Sequence, residues 1–433
     1  MDQYLLPGYF NVISATISQY GNPVSQDITQ LIIKIVIEES IENDSVRGYL
    51  SVIDAVSFLE KLPLRGEERL ILEIEDITKQ KKIFDFYVYK VDGISAKNTN
   101  DSLSYNMHFV SYMRWNAGRR RIIASYGRSI RETAVQIFDE YYKPKTEPYT
   151  KPFNTDATEG NFQCIIPNYT PVQAITFLAS RAYNSFSPSC SFRFFENSEA
   201  FYFVPDEYLI ADAIVKDNIK EFTFLPALDK SGMDIEVQLQ NLIELTNTDR
   251  INTLKDMYSG AYQNNPIVID FVNKTVTDNR YSYQQSKNEF LSVTQKTTGI
   301  EDLHSDSYID YMFTEENERR FLIYKDYQSQ GDPSSTIRDE QFLPKIISRR
   351  IAYRHMLYRN TVFAKAYGRL DLKAGDIIKL KVKEFSAGGD ATGGDSQLAG
   401  NYILHDCTHT FTVGPDTYET SMMLTKYDWS KDE

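Results

Sequence analysis

The sequence predicts a mainly β protein with α+β insertions, and three observations support this fold class. Apolar residues recur with a period of two through most of the first 115 residues and again from Val362 to Tyr427. Between these regions, two segments combine helical spacing of apolar residues with helix-start signals. The composition, with 30 Tyr and 25 Phe but 2 Trp, suits pleated surfaces more than helical bundles.

The bulk properties exclude several classes of protein. The 433 residues, 42% of them hydrophobic, indicate a globular chain of two to four domains. A net charge of −13 argues against tight duplex binding, because that affinity comes from neutralised phosphates. The three cysteines have no paired spacing, so neither a disulfide framework nor a zinc site is indicated. Without a signal peptide or an apolar membrane span, we expect a soluble protein made in a reducing cytoplasm.

The first 115 residues predict an antiparallel sheet or small barrel with one solvated face. Three stretches of alternating apolar residues each place one set of side chains on one predicted face. These sets are Leu31, Ile33, Ile35 and Ile37; Leu70, Leu72 and Ile74; and Phe84, Phe86 and Val88.

A small α+β domain is predicted after Gly118. Ser129 and Glu132 form a capping-box pattern before apolar residues at helical spacing. Thr170 and Pro171 begin a second helix, with proline at its tolerated first position. A strand pair follows near 192–204.

The rest of the chain predicts more strands interrupted by an inserted region. Strands resume at 221–246, where Ile235, Val237 and Leu239 alternate. A polar stretch over about 247–335 is interpreted as an insertion, and a helix is predicted from Pro344 to Tyr358.

The two strand-rich regions indicate an internal duplication. Leu64-Arg65-Gly66-Glu67 precedes the strand with Leu70, Leu72 and Ile74, and Leu372-Lys373-Ala374-Gly375-Asp376 precedes one with Ile378, Leu380 and Val382. Each copy is predicted to end in strands closed by an aromatic pair, Tyr112 with Trp115 and Tyr427 with Trp429. The spacing is far longer than that of solenoid repeats, so two related domains are predicted.

Two motifs are candidates for metal or nucleophile chemistry. In a strand, His405, Cys407 and His409 would share one face, which suits a metal site or a Cys/His pair. A structural role is favoured, because three ligands from one strand do not wrap a tetrahedral ion. The Gly/Asp-rich run Gly388–Asp395 is similar to calcium-binding repeats, but a single copy favours a hairpin loop.

A basic run interleaved with aromatic residues follows the first strand region. It suits either nucleic-acid binding or a charged subunit contact, and the acidic chain favours the contact. Its members are Arg114, Arg119, Arg120, Arg121, Arg128 and Arg131. No nucleotide-binding or hydrolase motif occurs, and neighbouring acids such as Glu38 and Glu39 point to opposite strand faces. We therefore expect no enzymatic activity, no catalytic residue, no cofactor and no metal.

Several short segments, taken in order, carry a resemblance to a known family. They are Pro7-Gly8-Tyr9 with Asn11, Gly48–Asp54, Ser129–Tyr142, Tyr169–Tyr183, Ile346–Tyr367, Leu372–Lys381 and Tyr402–Phe411. The chain resembles the central baseplate hub protein of contractile-tailed, T-even-like bacteriophages. It is more distantly similar to the hub region of type VI secretion spike proteins, the valine-glycine repeat family. Region 250–335 matches that pattern poorly.

The resemblance implies two tail-tube-like antiparallel β-barrels per chain, a small α+β domain and an inserted region. The expected divisions are 1–117 for the first barrel, 118–215 for the α+β domain, 216–250 with 360–429 for the second barrel, 251–359 for the insertion and 430–433 for a tail. Three chains would form a pseudo-sixfold ring that adapts the hexameric tube to the trimeric spike and lets DNA pass.

The implied partners are two further copies in a homotrimer, the spike protein, the tail tube protein, the tape measure protein and other baseplate proteins. The implied location is the tail baseplate of the virion, after assembly in the host cytoplasm. A receptor- or glycan-binding tail module and a glycan-degrading tail enzyme remain alternatives. Aligning the two repeats pairs Glu73 with Lys381 and Glu75 with Lys383, which are candidate ring-interface charges of opposite sign.

Overall fold

The computed structural model describes most of the strand-rich regions and parts of the insertion. The described residues are 7–19, 25–62, 64–96, 102–143, 151–185, 187, 189–224, 234–247, 258–260, 263–282, 319–324, 343–359, 361–382 and 398–427.

The N-terminal region consists of seven strands and one short helix. The elements are β1 (Phe10–Ser18), β2 (Ser25–Asp27), β3 (Ile32–Ser40), β4 (Arg47–Asp54), α1 (Phe58–Lys61), β5 (Arg69–Asp76), β6 (Lys81–Ala96) and β7 (Leu103–Ser111).

The next region mixes helices and strands. Its elements are α2 (Tyr112–Gly118), β8 (Ile122–Arg128), α3 (Ile130–Ile137) with a π-helical turn (Phe138–Tyr142), β9 (Phe153–Thr155), β10 (Phe162–Tyr169), α4 (Pro171–Ala179), β11 (Arg193–Glu196), β12 (Phe201–Val204) and α5 (Asp206–Val215).

The C-terminal half returns to strands around an insertion. Its elements are β13 (Ile219–Phe224), α6 (Ile235–Leu239), β14 (Leu242–Asn247), β15 (Gln263–Asp270), β16 (Thr275–Asp278), β17 (Tyr281–Ser282), β18 (Arg319–Tyr324), α7 (Leu343–Arg359), β19 (Thr361–Tyr367), β20 (Ile377–Val382), β21 (Gly400–Thr412) and β22 (Thr417–Lys426).

One large sheet contains two sets of six strands in the same spatial order. The first unit has the order β3-β4-β7-β6-β5-β1, and the second unit has the order β14-β19-β22-β21-β20-β13. All neighbours are antiparallel except β13 and β20, which are parallel, so the sixth strand runs oppositely in the two units. Mainly β architecture with α+β insertions is confirmed.

Each unit curls so that its sixth strand forms a hydrogen bond with the segment just before its first strand. In the second unit the Thr223 N–H donates to the Gln240 carbonyl at 2.9 Å, at the start of β14. In the first unit the Ile28 N–H donates to the Ala15 carbonyl at 2.8 Å, in the turn before β3. Each unit encloses its own apolar core, and a third core lies in the α+β region.

The local helix signals are confirmed. Ser129 and Glu132 form the capping box of α3, and Thr170 and Gln173 form that of α4, with Pro171 at the first helical position. The strand pair β11–β12 and the helix α7 also lie where the sequence predicts them.

Three local predictions are wrong, each for a physical reason. Ile235–Leu239 is a helix rather than a strand, because Asp234 caps its first N–H and Leu239 alone turns into the core. Tyr112 and Trp115 lie on α2 rather than on a strand, since β7 ends at Ser111. Ile33 is 38% exposed, because a β-bulge between Ile32 and Lys34 breaks the alternation and buries Ile32 instead.

The turns that suggested a duplication have matching hydrogen bonds. The Glu68 carboxylate accepts from the Arg65 N–H at 2.6 Å, and the Asp376 carboxylate accepts from the Lys373 N–H at 3.0 Å. The backbone carbonyls of the same two acids accept from Val88 at 2.9 Å and from Leu404 at 2.8 Å. Within the described ranges, no helix is long and apolar enough to span a membrane.

Candidate functional site at the junction of the two units

The two units are joined by one strand that both of them use. The first residues of β21, Gly400–Ile403, pair with β20 of the second unit. Its later residues, Asp406–Thr412, pair antiparallel with Ser40–Lys34 of β3 in the first unit. The sheet is therefore continuous across the junction.

A β-bulge at His405 makes this strand change faces. In the pairing with β22, Leu404 lies opposite Leu424 and Asp406 opposite Met423, so His405 is an extra residue. Cys407 and His409 point to the same side, with Cys407 Sγ 3.4 Å from His409 Nε2. His405 instead lies 2.7 Å from the Tyr358 hydroxyl on α7. The prediction that all three share one face is therefore wrong.

The Cys407–His409 pair is buried and neutral. Burial, together with the nearby charge of Lys82, lowers the pKa of His409 to about 3. Burial likewise raises the pKa of the Cys407 thiol. His409 Nδ1 lies 2.8 Å from the Tyr418 hydroxyl. Nucleophilic chemistry at cysteine requires the thiolate form. Because both groups are held neutral, this pair does not supply a thiolate.

His405 belongs to a charged cluster centred on Glu42, which lies just after β3. This Glu42 cluster comprises Glu42, Arg193, Arg354, Tyr358 and His405. The Glu42 carboxylate forms ion pairs with both arginines and accepts from the Tyr358 hydroxyl at 2.5 Å. Burial opposes the charge on Glu42, but His405, Arg193 and Arg354 outweigh it and hold the pKa far below its ordinary value.

The same cluster favours a charged His405. Burial opposes the imidazolium, but the hydrogen bond to Asp406 and the nearby Glu42 carboxylate, 3.8 Å away, outweigh that effect and raise the pKa of His405. The cluster thus joins four segments that are distant in sequence: the end of β3, β11, α7 and β21.

Arg193 is also held by a fully buried carboxylate. Its Nε and Nη2 atoms lie 2.6 and 2.9 Å from the two oxygens of Asp206, the first residue of α5. The side chains are 3% and 0% exposed. This paired fork fixes Arg193 within the α+β region, and the ion pair of Arg193 with Glu42 links that region to the junction.

The turn before β20 contacts both units. The Glu39 carboxylate accepts from the Ala374 N–H, and that of Asp76 accepts from the Leu370 N–H, both at 3.2 Å. Lys82 donates to the Leu370 carbonyl at 3.0 Å, and burial lowers its pKa. Polar groups from the first unit therefore fix this turn of the second.

The candidate ring-interface charges lie on matching strands. Glu73 and Glu75 are partly exposed on β5, and Lys381 is exposed on β20. Lys381 forms an in-chain ion pair with Glu221 at 2.7 Å. Lys383 lies outside the described residues.

The basic run has in-chain contacts at four of its six positions. Arg114 pairs with Asp44, and Arg119 stacks 4.1 Å over the Trp115 ring. Arg120 donates to the Glu140 carbonyl and Arg131 to Thr155, each at 2.9 Å. Gly388–Asp395 lies outside the described residues. Among the residues that the structure does describe, no three His, Cys, Asp or Glu side chains converge as a metal site would require.

Sequence reasoning missed Glu42, Arg193, Asp206 and Tyr358. Glu42 is separated from Arg193 by 151 residues and from Tyr358 by 316, so no local spacing signals the cluster.

The comparisons with known proteins agree with this architecture. No protein-family model and no curated protein matches the chain. Solved structures do match. A tail protein from Neisseria meningitidis MC58 has a TM-score of 0.52 at 9% identity, over 96% of this chain and 97% of its own. The 43 kDa tail protein of prophage MuSo2 from Shewanella oneidensis has a TM-score of 0.51 at 9% identity, over 97% and 100%.

The chain has the fold of phage tail proteins. Both similarities cover nearly the whole of each chain, so the tail-protein fold includes the two units, the α+β region and the insertion together. A type VI secretion system component from E. coli also matches, with a TM-score of 0.45 at 11% identity, over 95% of this chain and 77% of its own.

Proposed function

We propose that this chain is a structural baseplate hub subunit of a phage-type contractile tail. Three copies would form a ring that joins the tail tube to the spike. The tail-protein fold supports the general role, and the resemblance of the sequence to baseplate hub proteins supports the specific one.

The observation that carries the proposal is the pair of six-strand units in one sheet. A ring of three chains with two such units each would contain six related barrels. The same ring has three identical chains, so it would also offer three equivalent binding sites to a threefold-symmetric partner. A subunit of this kind adapts sixfold to threefold symmetry. We propose the domain divisions given above as its parts.

The charge of the chain suits a conduit for DNA. With a net charge of −13, a ring of these chains would repel DNA passing through it rather than bind it. The proposed partners are the spike, the tail tube, the tape measure and other baseplate proteins.

The test is the native mass of the chain, alone and co-expressed with the spike protein from the same tail gene cluster. We expect a trimer with an axial hole. Binding of the spike should stabilise this trimer, so that it persists at lower protein concentrations. A stable dimer, a trimer without a hole, or a monomer under both conditions would contradict the proposal.

The alternating charges offer a second test. We propose that Glu73 and Glu75 of one barrel lie beside Lys381 and Lys383 of the next around the ring. Replacing both glutamates with lysine should weaken assembly at low salt, and adding glutamate at both lysines should restore it. Exposed pairs contribute only about 0.2–1 kcal/mol each, so assembly rather than folding should respond. Absence of rescue would refute this arrangement.

A further inference from the structure

The two units share their strand order and two of their β-bulges. In the pairs β6–β7 and β21–β22, an extra residue occurs at the same place, Tyr89 in one and His405 in the other. In the pairs β3–β4 and β14–β19, the extra residues are Ile33 and Ile243. Both of these isoleucines point outward, at 38% and 36% exposed.

This match assigns described equivalents to part of the junction. Phe86 and Tyr402 face the equivalent residues Leu70 and Ile378, so β6 corresponds to β21. A second bulge, between Asp92 and Ser95, occurs in β6 but not in β21. Beyond it, the pairings with β7 and β22 make Ser95 and Ala96 equivalent to Thr410 and Phe411. The pairings with β19 and β4 make Leu245 and Thr246 of β14 equivalent to Ile35 and Val36 of β3.

The in-chain junction joins two unlike edges. The edge contributed by the second unit is the distal half of β21, and the edge contributed by the first is β3. Because each unit has both kinds of edge, the chain contains a second edge of each kind outside the junction. These are the distal half of β6, which is the part after Tyr87, in the first unit and β14 in the second unit.

Among the described strands, each of these two segments has one side without a strand partner. Beyond Tyr87, β6 pairs with β7 on one side, and no described strand pairs with its other side. On β14, one side pairs with β19, and the described contacts on the other are confined to the start of the strand. Val36 is 4% exposed inside the in-chain junction, whereas its equivalent Thr246 is exposed, as are Ser95 and Ala96.

We propose that β14 of one copy pairs antiparallel with the distal half of β6 of a second copy, and so repeats the in-chain junction between chains. The in-chain register places Ile35 opposite Phe411 and Val36 opposite Thr410. The inter-chain register is therefore Leu245 opposite Ala96 and Thr246 opposite Ser95. This inference rests on the proposed function and supplies its contact between copies.

The chemistry of the edges suits a partner that is a copy of the chain. Backbone N–H and C=O groups on an open strand edge pair with another strand, and here the residues proposed to pair, Ser95 and Ala96, lie beyond the second bulge of β6. Small polar side chains, Thr246 and Ser95, keep the edges soluble before assembly. Because the two edges are unlike, the contact is head-to-tail and closes into a ring when its rotation permits.

Disulfide trapping tests the pairing and its register. Residues directly opposite in antiparallel strands have Cβ atoms about 4.5–5.5 Å apart, close enough for a disulfide after small adjustments. A tagged Ser95→Cys chain is mixed with an untagged Thr246→Cys chain under mild oxidation. We expect a covalent product that contains one chain of each kind, which only contact between copies can form.

The matched control is Glu244→Cys in place of Thr246→Cys. Glu244 is also exposed, but it lies two residues out of register, roughly 6.5–7 Å along the strand. The in-register pair should form at least tenfold more product than this control. Val36→Cys with Thr410→Cys in one chain should give the matching cross-link within the chain.

The outcomes separate this inference from the proposed function. Equal yields for the two pairs, or no product from either pair although the wild-type chain is oligomeric by mass, would overturn the strand pairing and leave the hub proposal standing. A wild-type chain that stays monomeric with and without the spike protein, together with no cross-link between the cysteine variants, would overturn both.

Discussion

The buried Arg193–Asp206 pair predicts the largest effect of a single charge removal. Asp206→Asn keeps the shape of the side chain and removes its charge, which leaves Arg193 in a site where it is 3% exposed. Breaking a buried pair from one side costs about 3–5 kcal/mol. Loss of a negative charge at the N-terminus of α5 adds about 0.3–1 kcal/mol. Glu42 still pairs with Arg193, so we expect a total of about 3 kcal/mol.

The Arg69–Asp85 ion pair is a control that isolates the effect of burial on the cost of removing one charge. Arg69 and Asp85 form the same fork, with distances of 2.9 and 2.7 Å, but the side chains are 28% and 11% exposed. Asp85→Asn should cost about 1 kcal/mol or less. Urea unfolding of both variants, with midpoints compared at equal slope, measures the difference. If Asp206→Asn costs no more than Asp85→Asn, the claim that burial makes this pair important is refuted.

Three further predictions concern packing, pH and thiol reactivity. Gly368→Ala should lower stability by about 1–3 kcal/mol, because its Cβ would lie 2.1 Å from the Tyr418 ring, whereas Gly127→Ala, with its nearest contact at 3.7 Å, should change the urea midpoint little. His409 stays neutral when folded but takes up a proton when unfolded, so it lowers stability by about 1.4 kcal/mol per pH unit as pH falls from about 6.5 towards 3. His409→Gln should flatten that pH dependence. His405→Gln should leave that slope unchanged, because the raised pKa of His405 gives its full stabilisation below an unfolded pKa of about 6.5 and loses it only as pH rises above that value; equal flattening by both variants would contradict the assignment. A thiol reagent should label no cysteine in the native protein and all three after denaturation, and rapid native labelling would contradict the burial of Cys164, Cys190 and Cys407.

Local signals in the sequence determined the elements whose cause is local. The capping boxes at Ser129 and Thr170 fix where two helices begin, because the cap and its partner are three residues apart. Alternation placed Leu70, Leu72 and Ile74, and likewise Ile378, Leu380 and Val382, in the two cores. The equivalence of the turns before β5 and β20 could be predicted because a similar short sequence pattern precedes each of these strands.

Only the tertiary structure decided where alternation fails. The extra residues Ile33 and His405 are set by the partner strand, whose position no local pattern encodes, so both were predicted to point the wrong way. The same limit hid the Glu42 cluster, since its members come from four distant segments.

The sequence by itself thus determined the mainly β class, the duplication and the family resemblance, because these depend on patterns within a few residues of each other. The tertiary structure alone decided that β21 is shared between the units and that, among the described strands, β14 and the later residues of β6 each have one side without a strand partner. The pairing of β21 with β3 joins residues hundreds of positions apart, and its register depends on both strands at once.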